Sequence, residues 1–137
     1  MKLEIKGQPV GKGRPRLSRY GTYTPDKTKN YEEYVKVCYK NKYNIKQTPT
    51  EKPLKAKITA IFEVPKSYSK KKKKELIGQP HTSRPDIDNI VKIILDSLNG
   101  LAYKDDNQIV KLEVEKLYGE EAKVILELED VSNSEII

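Results

Sequence analysis

The stretch Leu54-Lys55-Ala56-Lys57-Ile58-Thr59-Ala60-Ile61-Phe62-Glu63-Val64 decides how the rest of the chain is read. Leu54, Ala56, Ile58, Ala60, Phe62 and Val64 alternate with Lys55, Lys57, Thr59, Ile61 and Glu63. A period of two sends one set of side chains into a core and the other toward water, so the stretch predicts a strand with one covered face. Pro65 ends it, because a proline cannot donate to a ladder. On the N-terminal side, Lys2-Leu3-Glu4-Ile5-Lys6 repeats the alternation in shorter form and predicts a first strand. From Gly7 to Tyr23 the residues are rich in Gly, Pro, Arg and Lys without any period, which reads as an extended loop long enough to carry a function. Thr24 then stands as an N-cap, Pro25 at a first helical position and Asp26 in a first turn. Tyr31, Tyr34, Val35, Cys38 and Ile45 recur at helical spacing, so a helix is predicted from about Pro25 to Lys42.

On the C-terminal side, Ser69 caps a short helix carrying Lys70, Lys71, Lys72, Lys73 and Lys74, and Gly78 to Pro85 form a loop. Asp86 to Leu98 read as an amphipathic helix with Ile87, Ile90, Val91, Ile94, Leu95 and Leu98 on its buried side, closed by Gly100. Tyr103 to Gln108 make an acidic turn, after which Val110, Leu112 and Val114 alternate with Lys111, Glu113 and Glu115 in a strand able to pair with the central one. Gly119-Glu120-Glu121 read as a hairpin turn into a last strand, Lys123 to Glu129, and the tail from Asp130 is expected to fray. The order predicts an α+β fold: one domain over residues 1–137, a four-stranded mixed sheet, two main helices packed on it and a short basic helix.

A net charge of +7 conceals a sharper division. Residues 1–85 hold 22 Lys and Arg against 7 Asp and Glu, whereas residues 86–137 hold 5 against 13. Such segregation suits a polyanion-binding surface beside an acidic site, which would repel the same polyanion unless cations neutralised it. A merely solvated charged surface is the plainer reading of the same counts. One cysteine, Cys38, rules out an internal disulfide framework and a thiolate zinc cluster. One histidine, His81, gives imidazole chemistry little support. No long apolar run or secretory leader is present, so the chain is expected to be cytoplasmic, with no membrane partner.

The acidic half concentrates its chemistry in two places. Asp86 and Asp88 open the third helix, and Lys92 and Asp96 follow at steps of four, so Asp88, Lys92 and Asp96 share a stripe bordering the core. Asp105 and Asp106 lie one short loop beyond the helix. If that loop folds back, up to four carboxylates, Asp86, Asp88, Asp105 and Asp106, converge, and they cannot all stay ionised without a cation. Oxygen ligands alone point to Mg²⁺, with Mn²⁺ as a substitute, an ion able to polarise a phosphodiester and activate water. Lys92 then adds positive charge beside the reacting phosphate, while Asp96, one turn deeper, is expected to pair with Lys92. By spacing alone, Asp86 and Asp88 also read as helix caps and Asp105-Asp106-Asn107 as a turn.

The run Arg84-Pro85-Asp86-Ile87-Asp88-Asn89-Ile90-Val91-Lys92, followed by Asp96-Ser97-Leu98-Asn99-Gly100 and Asp105-Asp106-Asn107-Gln108-Ile109, resembles the RusA family of Holliday junction resolvases. The loop Gly11-Lys12-Gly13-Arg14-Pro15-Arg16 and the lysine run look like its phage and prophage branch. The resemblance implies a Mg²⁺-dependent homodimer that makes paired nicks in four-way DNA junctions. It places the family's essential aspartates at Asp86, Asp88 and Asp106 and its essential lysine at Lys92, with Asp105 adjacent to a matched position. Where the best-known enzyme has a run of arginines, this chain has Ser83-Arg84-Pro85. Two-fold symmetry suits a junction in which opposed strands are cut. Candidate DNA contacts are Lys12, Arg14, Arg16, Arg19, Arg84 and Lys70 to Lys74, with the arginines suited to phosphate bonds and the lysines to diffuse attraction. The competing reading is a non-catalytic module that binds branched DNA.

Overall fold

The computed structural model describes residues 1–43 and 48–132, apart from the side chains of Arg16 and Tyr23. Its elements are β1 (Lys2–Lys6), β2 (Arg16–Ser18), β3 (Gly21–Tyr23), α1 (Asp26–Lys42), β4 (Leu54–Glu63), α2 (Lys70–Leu76), α3 (Ile87–Ser97), a single 3-10 turn (Asp106–Gln108), β5 (Ile109–Gly119) and β6 (Lys123–Asp130). β1, β4, β5 and β6 form a mixed sheet in the order β1-β6-β4-β5, which is the expected α+β architecture. β4 is central: it runs parallel to β5, with Ile58 opposite Val114, and antiparallel to β6, with Ile58 opposite Leu126.

The alternation in β4 places Leu54, Ala56, Ile58, Ala60 and Phe62 inside, joined by Leu3 and Ile5 from β1 and by Val124, Leu126 and Leu128 from β6. α1 and α3 pack on that face and against each other. α3 contributes Ile90, Ile93 and Ile94, and its C-cap is Leu98, all fully buried, each worth roughly 2 kcal/mol of removed apolar surface. Its stripe is rotated from the expected one, because Ile93 is inside while Ile87 is exposed and Val91 only half-buried. On α1 the inward residues are Thr28, Tyr31, Val35 and Tyr39, so Tyr34 turns outward and Tyr39 replaces it. Ile45 lies outside the described residues.

Three further expectations change. Gly119 to Glu121 do not make a hairpin, because β4 lies between β5 and β6 and gives the link a crossing to make. The loop from Gly7 to Tyr23 contains its own small ribbon, β2 against β3, with Gly21 at φ +115. At the C-terminus, Asp130 is still in β6 and Val131 donates to the carbonyl of Pro53 at 3.1 Å, so any fraying starts later than Asp130. Among the described residues, no helix is long and apolar enough to cross a membrane.

Candidate active site

The start of α3 and the start of β5 meet at one end of the sheet. Asp88, Val91, Lys92 and Leu95 from the helix face Asp106, Ile109, Val110 and Leu112 from the other strand of sequence, lining a groove of about 360 Å³. Several contacts fix this approach. The hydroxyl of Tyr103, a fully buried residue, donates to the carbonyl of Leu95 at 2.5 Å and ties the loop after α3 back onto the helix. Thr50 donates to the carbonyl of Ala102, and Lys104 donates to that of Thr50. The Gln108 amide donates to the carbonyls of Thr50 and Lys52 at 2.9 and 3.0 Å. A fold-back that sequence spacing left conditional therefore rests on a buried tyrosine and a glutamine whose periodicity gave no sign of it.

Asp86 is the N-cap of α3, but its side chain accepts no hydrogen bond from the helix, which leaves the carboxylate unspent by local structure. Asp88 and Lys92 are exposed toward the groove. Asp105 has another task. Its carboxylate accepts from Asn107 N–H at 3.2 Å, while the Gln108 side chain accepts from Asp105 N–H at 3.0 Å, a complete capping box on the 3-10 turn. Asp106, the next residue, is half-buried.

Asp96 does not take Lys92 as its direct partner. Lys12 reaches it from the glycine-rich loop at 2.9 Å and also stands 3.6 Å from Glu32. Burial opposes ionisation of Asp96, but the bond from Lys12, the contact with Asp106 and the charges of Lys12 and Lys92 hold its pKa below the ordinary carboxylate value. Asp106 moves the other way: burial, the contact with Asp96 and the charges of Asp96 and Asp105 raise its pKa, with the Asn99 side chain pulling it partly down. Two carboxyl groups at contact distance cannot both hold a full charge without a cation.

The glycines explain how Lys12 gets there. A Cβ on Gly11 would stand 2.7 Å from Pro85 Cβ, and one on Gly13 would stand 2.9 Å from Thr28 Oγ1. Lys12 N–H donates to the carbonyl of Asn89, and Gly13 N–H to the hydroxyl of Thr28, both at 2.9 Å. The loop is thus wedged between the starts of α1 and α3. Arg14 follows it just before β2, Arg19 lies in the turn between β2 and β3, both exposed, and Arg84 stands exposed beside the same junction. The lysine run is elsewhere: Lys70, Lys73 and Lys74 lie beside Glu63, Gly119 and Glu120, at the far ends of β4 and β5. At a rise of about 3.3 Å per residue, the length of β5 separates them from Asp106 by roughly 30 Å.

The profile of the family described as Endodeoxyribonuclease RusA matches residues 6–129. The chain belongs to the RusA family. An uncharacterised protein, YqaN of Bacillus subtilis (strain 168), is 36% identical over 140 residues, covering 96% of this chain and 97% of that protein. A second relative, the crossover junction endodeoxyribonuclease rusA of Lactococcus phage r1t, is 36% identical over 80 residues, covering 58% of this chain and 56% of its own length. Membership in the RusA family makes the chain an endodeoxyribonuclease, a phosphodiester hydrolase. Nucleases of this kind depend on a divalent cation. Among the described residues, no three Asp, Glu, His or Cys side chains close into a cage for one. The donor set nevertheless fits Mg²⁺, which is commonly bound through one or two carboxylates while water and substrate phosphate complete its shell.

Proposed function

We propose that the chain is a Mg²⁺-dependent endonuclease that resolves four-way DNA junctions by paired symmetric nicks, with Mn²⁺ able to substitute. One observation carries the reading: Asp88, Lys92 and Asp106, from two separated stretches, line a single groove. The phage relative, a crossover junction endodeoxyribonuclease, supports the choice of branched DNA.

In this reading Asp88 and Asp106 hold the cation, with Asp86 contributing the carboxylate that its helix leaves unused. Asp105 is a weaker ligand, because its oxygen is engaged in the cap. When bound, the cation polarises the scissile phosphodiester and eases deprotonation of the attacking water. Lys92 offsets the negative charge that builds on the phosphate oxygens as the water attacks. Asp96, neutralised by Lys12, positions Asp106 without touching the substrate. Arg14, Arg19 and Arg84 are the phosphate-holding candidates, with Arg16, whose side chain lies outside the described residues, as a fourth, and Lys70 to Lys74 supply attraction at a distance. Cleavage of synthetic four-way, forked and linear duplex DNA, with Mg²⁺ and with chelator, tests the reading. Metal-dependent, symmetric nicks in the junction are expected, and cutting that persists in chelator defeats it.

A further inference from the structure

The ribbon of β2 and β3 leaves the body of the protein without burying a side chain of its own. Its strands pair with each other, Leu17 opposite Thr22 and Ser18 opposite Gly21, in a sheet separate from the four-stranded one. Every residue from Leu17 to Thr22 is exposed. Leu17 is 86% and Tyr20 91% exposed, whereas no other large apolar side chain among the described residues passes 64%. A two-stranded ribbon is at best marginally stable in water, and one that holds its apolar groups outward adds nothing to the core. These groups are therefore placed for contact with something else.

The tip is held in shape. Arg19 and Tyr20 make the turn, and Gly21, at φ +115, takes the chain back through a conformation that would strain a side chain. The Ser18 hydroxyl accepts from Tyr20 N–H at 3.2 Å and donates to the Gly21 carbonyl at 2.9 Å. The root is fixed as well, since Gly13 N–H bonds the Thr28 hydroxyl before the ribbon and Pro25 caps α1 after it. Lys12, one residue before that root, bonds Asp96 beside Asp106. Tyr20 is seven residues from Gly13, so it stands at most roughly 25 Å away, the length of about seven stacked base pairs.

The charges select the partner. From Ile5 to Pro25 the chain carries Lys6, Lys12, Arg14, Arg16 and Arg19 and no Asp or Glu. Among the described residues, Arg14 and Arg19 take part in no ion pair. Unpaired arginines around an outward aromatic ring match a nucleic acid, whose phosphates meet the cations and whose base faces meet the ring.

We propose that Tyr20 stacks on base faces left uncovered at a branch point, with Leu17 adding apolar contact, and that this stacking separates branched DNA from continuous duplex. Within a duplex each base pair covers the next, so an entering ring must first part a step and pay for lost stacking. Where four arms meet, stacking is already interrupted, and the ring enters without that cost. Arg14 and Arg19 meet phosphates on either substrate, so they add affinity without discrimination. This role presupposes the junction reading proposed above and supplies the group that recognises the branch.

The chain has no tryptophan, so Tyr20→Trp keeps a stacking ring and makes it the single indole reporter. Binding is measured in chelator at fixed salt, on a four-way junction and on a continuous duplex of the same arm sequence, with circular dichroism as the fold check. Indole emission should be quenched on the junction and nearly unchanged on the duplex. Tyr20→Ala should weaken junction binding about tenfold and duplex binding less than about twofold, and Tyr20→Phe should keep junction affinity near that of the unmodified chain. Arg19→Ala should weaken both and lower the salt slope by about one phosphate contact. Equal emission changes on the two DNAs, or a Tyr20→Ala loss that is absent or the same on both, overturns the stacking; an absent loss assigns the tip to a partner other than DNA. Should Tyr20→Ala not fold, the emission of the Tyr20→Trp variant still decides. Junction-selective quenching by a chain that nicks nothing with Mg²⁺ sinks the metal-dependent resolvase reading alone, and junction nicking by Tyr20→Ala with unaltered preference over duplex sinks the stacking alone.

Discussion

The ammonium of Lys12 stands 2.9 Å from the carboxylate of Asp96, which in turn touches Asp106. A residue of the basic loop thereby neutralises the carboxylate nearest a proposed metal ligand. Basic and acidic halves of the chain are joined at the site itself.

Replacing Lys12 by methionine keeps the stem and removes the charge. Asp96 then loses its partner in a half-buried place, and stability should fall by about 1–2 kcal/mol. The Asp96 pKa should rise. A urea midpoint equal to that of the unmodified chain would show that the pair contributes nothing.

Asp88→Asn keeps shape and removes one negative charge from the groove. Nicking of four-way junctions with Mg²⁺ should drop by about a hundredfold or more, the scale for losing a group that acts on the developing charge. Junction binding measured by gel shift should persist. Unchanged cleavage takes Asp88 out of the mechanism.

Asp105 and Asp106 are adjacent, yet serine should affect them differently. Serine can still cap a helical turn, so Asp105→Ser should cost only a few tenths of a kcal/mol and leave cleavage near normal. Asp106→Ser should abolish it. If both variants lose cleavage while thermal melts show them folded, Asp105 is a ligand and its capping box is secondary.

His81 stacks on Phe62, with ring centroids 3.6 Å apart, and lies edge-on to Tyr118 at 5.0 Å. Burial, then the charge of Lys116, lowers its pKa from 6.5, so the folded protein resists protonation more than the unfolded chain does. Its contribution to stability is complete above pH 6.5 and is lost as pH falls through the lowered folded value. His81→Phe should flatten that part of the stability profile. Parallel acid dependence in the two proteins, measured by thermal melts, would assign the loss to other groups.

Much of this was readable without coordinates. The alternation through Leu54 to Val64 needs only the strand period, and it named the central strand; α3 followed from the spacing of Ile90, Ile94 and Leu98. The cap at Ser69, which accepts from Lys72 N–H at 3.2 Å, was also local and legible. Partners were not. Periodicity gives the face of an element but not its neighbour, and so Lys12, not Lys92, bonds Asp96 from 84 positions away. The hairpin expected at Gly119 failed for the same reason, since a local turn signal says nothing of a strand inserted between the two it joins.

By itself the sequence determined the kinds of groups available: carboxylates with a lysine, no usable thiol or imidazole set, and basic residues gathered in one half. Side-chain chemistry and short-range periodicity are properties of the chain alone. The tertiary structure decided which of those groups meet. Tyr103 and Gln108 draw the turn before β5 onto α3, which brings Asp106 to the groove that Asp88 also lines and leaves Asp105 to its cap. Contacts between distant segments depend on how buried surfaces fit together, and no local pattern encodes that fit.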